Sequence, residues 1–116
     1  MIWLDISAAL MVVTACAHSW LGERRLIGPA IAARHGYLGS SLNRQITRYA
    51  WHAMSGFVLG LAATVVWPET PRGLVLVVGA LWLAIGLAGL AMTRGRHVGW
   101  PVISGAGLAA IIGAQA

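Results

Sequence analysis

No charged side chain falls between Arg72 and Arg94. An apolar run of that length meets the roughly 20 residues a helix needs to cross the hydrocarbon core of a bilayer. Three further runs accompany it. Residues 2–21 carry Asp5 near their start and His18 near their end. Residues 47–67 are closed by Pro68, which cannot continue a helical hydrogen-bond ladder. Residues 99–113 are shorter and rich in glycine. Lone hairpins of this length would leave backbone groups unpaired in lipid, so the runs are read as helices. The predicted fold class is all-α. It is an integral membrane bundle of four transmembrane helices in one domain over residues 1–116, with helices at about 2–21, 47–67, 72–93 and 99–113.

Composition agrees with this class. Only 9% of residues are charged and 59% are hydrophobic, whereas a soluble domain carries about 25% charged residues. The formal charge of +5 does not indicate nucleic acid as a partner. The arginines sit in short connections between apolar runs rather than on a soluble face. The lipid bilayer is the expected partner. With one cysteine, Cys16, no intrachain disulfide can form. Val13-Thr14-Ala15-Cys16 has the outline of a lipoprotein cleavage box, but Asp5 and the lack of a basic residue before it argue against an export signal.

Orientation follows from the arginines. Residues 22–46 hold Arg24, Arg25, Arg34 and Arg44, and Arg48 follows at the next helix start. The third connection holds Arg94 and Arg96, while the second sets Arg72 against Glu69. Basic connections stay in the cytoplasm, so both termini are expected to be periplasmic in a bacterial inner membrane. Arg24, Arg25, Arg94 and Arg96 are expected contacts for anionic headgroups. Trp3 and Trp67 fall at the outer boundary and Trp20, Tyr49, Trp51 and Trp100 at the inner one. Trp82 lies mid-span and is read as lipid-facing, as helix packing or as lining a cavity.

The 22–46 connection is long for a link between helices. Leu26, Ile27, Ala30 and Ile31 share one side between Arg24 and Arg34, which predicts a short interfacial helix, interrupted at Gly28-Pro29. Ser41 or Asn43 is expected to cap the second long helix, and Thr70-Pro71 to open the third. Small residues recur along the spans. Gly56 and Gly60, Gly86, and Gly105 and Gly113 are the expected packing positions. The same surface could serve a homo-oligomer or a larger membrane complex.

Antiparallel helices bring His18, His52 and His97 to the cytoplasmic end, with Glu23 and Arg48 nearby. Imidazole and carboxylate are ordinary metal ligands, two histidines on neighbouring helices can hold a haem iron, and neutral histidine can pass protons. Glu23 with Arg24, Arg25, Arg48 and Arg96 reads equally as an ion-pair clasp. The cofactor is left open between metal, haem and none. His18 and Glu23 are five residues apart, about 140° around a continuous helix, so they do not share a face unless Gly22 breaks it. No nucleophile is paired with a base and no phosphate-cradling glycine loop precedes a helix, so no enzymatic activity is expected. Small multidrug transporters have this length and span count, but their mid-span carboxylate has no counterpart here, because Asp5 lies at the outer end.

His18-Ser19-Trp20-Leu21-Gly22-Glu23-Arg24 and Arg48-Tyr49-Ala-Trp51-His52 form the patterns H-S-x-L-G-E-R and R-x-x-W-H. In these the chain resembles a group of small bacterial four-helix inner-membrane proteins of unassigned function. The likeness covers the first two spans and their connection, and it implies no activity. Two functions stay open. In one, the His/Glu/Arg cluster handles an ion, a proton or a metal within a transport-type assembly. In the other, the chain is a non-catalytic accessory or scaffold subunit and the cluster is a structural clasp. A haem-binding electron carrier is a third.

Overall fold

A computed structural model describes residues 2–116 and contains helices and turns but, among the described residues, no strand. The helices are α1 (Ile2–Gly22), α2 (Gly28–Ala33), α3 (Ser41–Val66), α4 (Arg72–Thr93) and α5 (Trp100–Gln115). A π-helical turn at Glu23–Ile27 joins α1 to α2, and a 3₁₀ turn at Gly36–Gly39 precedes α3. Among the described residues, three segments are long and apolar enough to cross a membrane, and α5 is a shorter apolar helix.

The connection between the first two spans is mostly helical. No break occurs at Gly22. Helix continues from Ile2 to Ala33 over 32 residues and stops where Arg34 turns left-handed at φ 54°. Pro29 explains the π turn. In an α-helix its ring would collide with the carbonyl four residues back, and a widened turn relieves this. The Gly28 N–H reaches back five residues to the Glu23 carbonyl. A short helix therefore exists there as α2, but as an extension of α1 rather than a separate element.

α3 starts at Ser41, ahead of the apolar run at 47. Its cap is Ser40, not Ser41 or Asn43: the Ser40 hydroxyl accepts from the Asn43 N–H at 3.4 Å. Asn43 Nδ2 donates to the Tyr37 carbonyl at 2.8 Å, tying the preceding turn to the helix start. Thr70 also differs from expectation. Its hydroxyl donates to the Thr64 carbonyl at 2.7 Å and so closes α3, leaving Pro71 as the N-cap of α4 without a side-chain bond.

α1 packs along α3 on one side and α5 on the other, and α4 packs on α5. The spatial order is thus α3–α1–α5–α4, with α3 and α4 barely touching. The outcome is a flattened bundle of 51 × 32 × 18 Å. Met11, Ala62, Val65, Val75, Val78, Trp82, Ala106, Ala110 and Ala114 form its buried cluster. Trp82 is therefore a packing residue. The Ser7 hydroxyl donates across the α1–α5 seam to the Ala106 carbonyl at 2.7 Å.

Glycine decides the α4–α5 seam. A Cβ on Gly86 would lie 2.6 Å from the Ser104 nitrogen, and one on Gly107 would lie 2.6 Å from the Gly79 oxygen. Only bare backbone fits there. Gly113 faces Leu4 closely, and Gly105 meets Leu10 at ordinary distance. Gly56 and Gly60 do not pack within the chain: a Cβ at either would find nothing within 4 Å. Both are exposed, whereas Ser55 beside them is buried against α1.

Candidate functional site

The site lies where the end of α1 and the π turn face the first turns of α3. Ser19 and Glu23 are four residues apart, so they stack on one helix face. On α3, Arg48, His52 and Ser55 repeat at four and three and face them. Antiparallel packing then matches the two rows. Arg48 Nη2 lies 2.7 Å from Glu23 Oε1. His52 Nε2 lies 3.1 Å from Glu23 Oε2. His52 Nδ1 lies 2.9 Å from Ser19 Oγ, and Ser19 Oγ lies 2.6 Å from Ser55 Oγ.

Each carboxylate oxygen of Glu23 thus has its own donor. Arginine supplies a permanent charge and a fork geometry suited to carboxylate. The four groups from Glu23 to Ser55 make one hydrogen-bonded chain. Two proton placements satisfy all of it. In one, His52 donates from both nitrogens and Ser19 donates to Ser55. In the other, Ser55 donates to Ser19, Ser19 donates to His52 Nδ1, and His52 donates only to Glu23.

Beside this row, His18 and Trp51 form a second junction. Their rings stack with centroids 4.2 Å apart and planes 10° from parallel. Gly22 makes room for this, since a Cβ there would run into the Trp51 indole. The two junctions alternate along the seam.

Comparison with protein-family models, with curated proteins and with solved structures gave no match. The site is accordingly read from its own chemistry. Glu23, Arg48 and His52 come together as a unit, and His18 sits next to them through Trp51. His97 does not join them. It lies in the α4–α5 corner, where its Nδ1 accepts from the Gly99 N–H at 3.1 Å and its own N–H donates to Thr93 Oγ1 at 3.3 Å. The flattened order of the helices is the reason, because α3 and α4 occupy opposite edges. Among the described residues, no group of three His, Cys, Asp or Glu could hold a metal ion. Both nitrogens of His52 and Nε2 of His18 are already engaged, so the histidines do not fit a haem iron without losing those bonds.

The wider arginine network is also smaller than expected. Arg48 is the arginine that pairs with Glu23. Arg24 instead lies over the ring of Trp20, 5.3 Å from its centroid, and Arg25 is exposed. Arg94 ends α4 in a left-handed turn at φ 52°, and Arg96 lines a groove with Met92, Thr93, Arg94 and His97. Ser19, Trp51 and Ser55 were not singled out from the sequence as site residues. The spacing of Ser19 to Glu23 and of His52 to Ser55 is the signal that carried them.

Proposed function

We propose that this chain is a multi-pass protein of a bacterial inner membrane with both termini in the periplasm. Its work is that of a non-catalytic accessory or scaffold subunit, and the Glu23 cluster is a clasp that pins α1 to α3. Membrane insertion is supported by the apolar outer surface. Val77 on α4 and Phe57 on α3 are 64% and 72% exposed, and large contiguous patches of that kind need lipid or a partner to cover them. Orientation is supported by arginine placement, since the α1–α3 and α4–α5 ends carry the basic residues. The observation behind the clasp is that both Glu23 oxygens and both His52 nitrogens are bonded across one helix seam. A cargo cation at Glu23 would have to displace one of these donors.

A cycle of Glu23→Gln, His52→Ala and the double variant tests it. The clasp predicts lower melting temperatures for each single variant, a double variant less destabilised than their sum, and unchanged proton permeability of vesicles. A flux that depends on His52 in a protein of unchanged stability would sink the clasp. That outcome belongs to the second reading, proton handling. The continuous Ser55–Ser19–His52–Glu23 chain, with its two proton placements, is what favours it.

A further inference from the structure

A groove of about 410 Å³ opens beside the clasp, lined by Ile31 of α2 and by Ser41, Arg44, Gln45, Arg48 and Tyr49 of α3. The α3 residues fall at spacings of one, three and four, so they form a single helix stripe. Its two arginines are held from behind. Arg44 Nη1 donates to the carbonyls of Leu38 and Gly39 at 3.0 and 2.8 Å. Arg48 is held by Glu23 through Nη2. Guanidinium has five N–H donors, so each arginine keeps donors beyond those bonds. Pinning removes much of the side-chain entropy that binding would otherwise cost. Charge points the same way. Arg24, Arg25, Arg34, Arg44 and Arg48 surround this end, with Glu23 as its acidic residue, while Asp5 and Glu69 lie at the other.

We propose that this groove binds a phosphate group, with Arg44 and Arg48 as its donors and Ile31 and Tyr49 as its apolar wall. An anionic phospholipid headgroup and a soluble phosphate share that chemistry. The lipid source rests on the membrane reading above, whereas the soluble source does not. The groove at the α4–α5 corner has a similar volume, about 400 Å³, and carries Arg94 and Arg96. Among the described residues no side-chain hydrogen bond fixes either arginine, so it serves as the control.

Gln45 is exposed, lines the groove and donates from Nε2 to Ser41 Oγ at 3.3 Å; Gln45→Glu gives up that bond and places a negative charge beside Arg44 and Arg48. The purified full chain in non-ionic detergent is titrated with short-chain phosphatidylglycerol, short-chain phosphatidylcholine and inorganic phosphate. Phosphatidylglycerol is expected to bind best, and Gln45→Glu to weaken it about tenfold, the effect of one to two charges at a headgroup. Arg96→Gln removes an arginine that no side-chain hydrogen bond holds in place, and it is expected to weaken binding far less than Gln45→Glu. Inorganic phosphate binding with the same sensitivity to Gln45→Glu, in place of lipid, identifies a soluble phosphate as the source. The proposal is overturned if no phosphate-bearing probe binds, if phosphatidylcholine binds as well as phosphatidylglycerol, or if Gln45→Glu and Arg96→Gln act alike. Gln45→Glu does not enter the Glu23–His52 cycle, so the clasp and the groove fail separately.

Discussion

Trp51 and His18 each hold the other's backbone. The Trp51 indole N–H donates to the His18 carbonyl at 2.8 Å, and His18 Nε2 lies 3.1 Å from the Trp51 carbonyl. Both carbonyls belong to helices and so serve a second donor without losing their own. The exchange works in one register only, since sliding α1 by a residue on α3 would break both bonds and the ring stack. Trp51→Phe keeps the stack and removes the indole donor. It should lower stability by about 1 kcal/mol, the net worth of one hydrogen bond. His18→Ala should cost a similar amount, and the double variant should cost less than the sum. Additive losses in a thermal unfolding series would mean that the two residues do not act as a pair.

Glycine positions on the α1–α3 side divide into two kinds. Gly22 abuts the Trp51 ring, while Gly56 and Gly60 face open space. Gly22→Ala should therefore destabilise by roughly 1–3 kcal/mol, the range for overpacking a tight contact. Gly56→Ala and Gly60→Ala should instead raise stability by about 0.5–1 kcal/mol each, because alanine is the better helix former and meets no obstacle. Denaturant midpoints in one detergent give all three signs. Destabilisation by Gly60→Ala would show that another surface covers α3.

The α4–α5 hairpin is held by backbone approach rather than by large side chains. Gly86 lies against Ser104 and Gly107 against Gly79 and Leu83. Gly86→Leu cannot be accommodated by a rotamer change, because the obstacle includes Ser104 backbone. The variant should separate the two helices at mid-span and expose Trp82, which is 5% accessible in the native protein. Quenching of tryptophan emission by a brominated detergent should rise in Gly86→Leu and stay at the native level in Gly73→Leu, whose added carbon has no neighbour within 4 Å.

Hydropathy revealed the long apolar helices but not the helical residues that extend beyond their apolar runs. α4 runs from Arg72 to Thr93 as the charge-free run implies. α3 begins earlier than its apolar run, because capping by Ser40 and the tie from Asn43 do not depend on hydrophobicity. The π turn was hidden for another reason: Pro29 reads as a stop signal, whereas here a widened turn lets helix continue through it. In the site, Glu23, Arg48 and His52 were legible because charge and antiparallel topology bring them together. His97 was misplaced since topology gives the end of the bundle a residue occupies, not its neighbour across it. Ser19 and Ser55 carry no such charge signal. They matter through spacing, and spacing becomes decisive only once the facing helix is known.

Ser19 links the two halves of the polar row, and its removal should be felt mainly at Ser55. Ser55 is 6% accessible, and its hydroxyl has the Ser19 hydroxyl as its partner across the seam. Ser19→Ala leaves a buried hydroxyl and one His52 nitrogen without that partner. The expected loss is about 1–3 kcal/mol, the cost of stranding a buried polar group. Ser55→Ala should cost less, because Ser19 still bonds His52 Nδ1 at 2.9 Å. Replacing both serines by alanine removes donor and acceptor together at the buried end, so it should cost less than the two single losses combined. Ser19→Thr keeps the hydroxyl and should recover most of the stability. The four proteins compared by urea unfolding in the same detergent decide the matter. Equal losses for Ser19→Ala and Ser19→Thr would show that volume at this position, and not the hydroxyl, is what the seam requires.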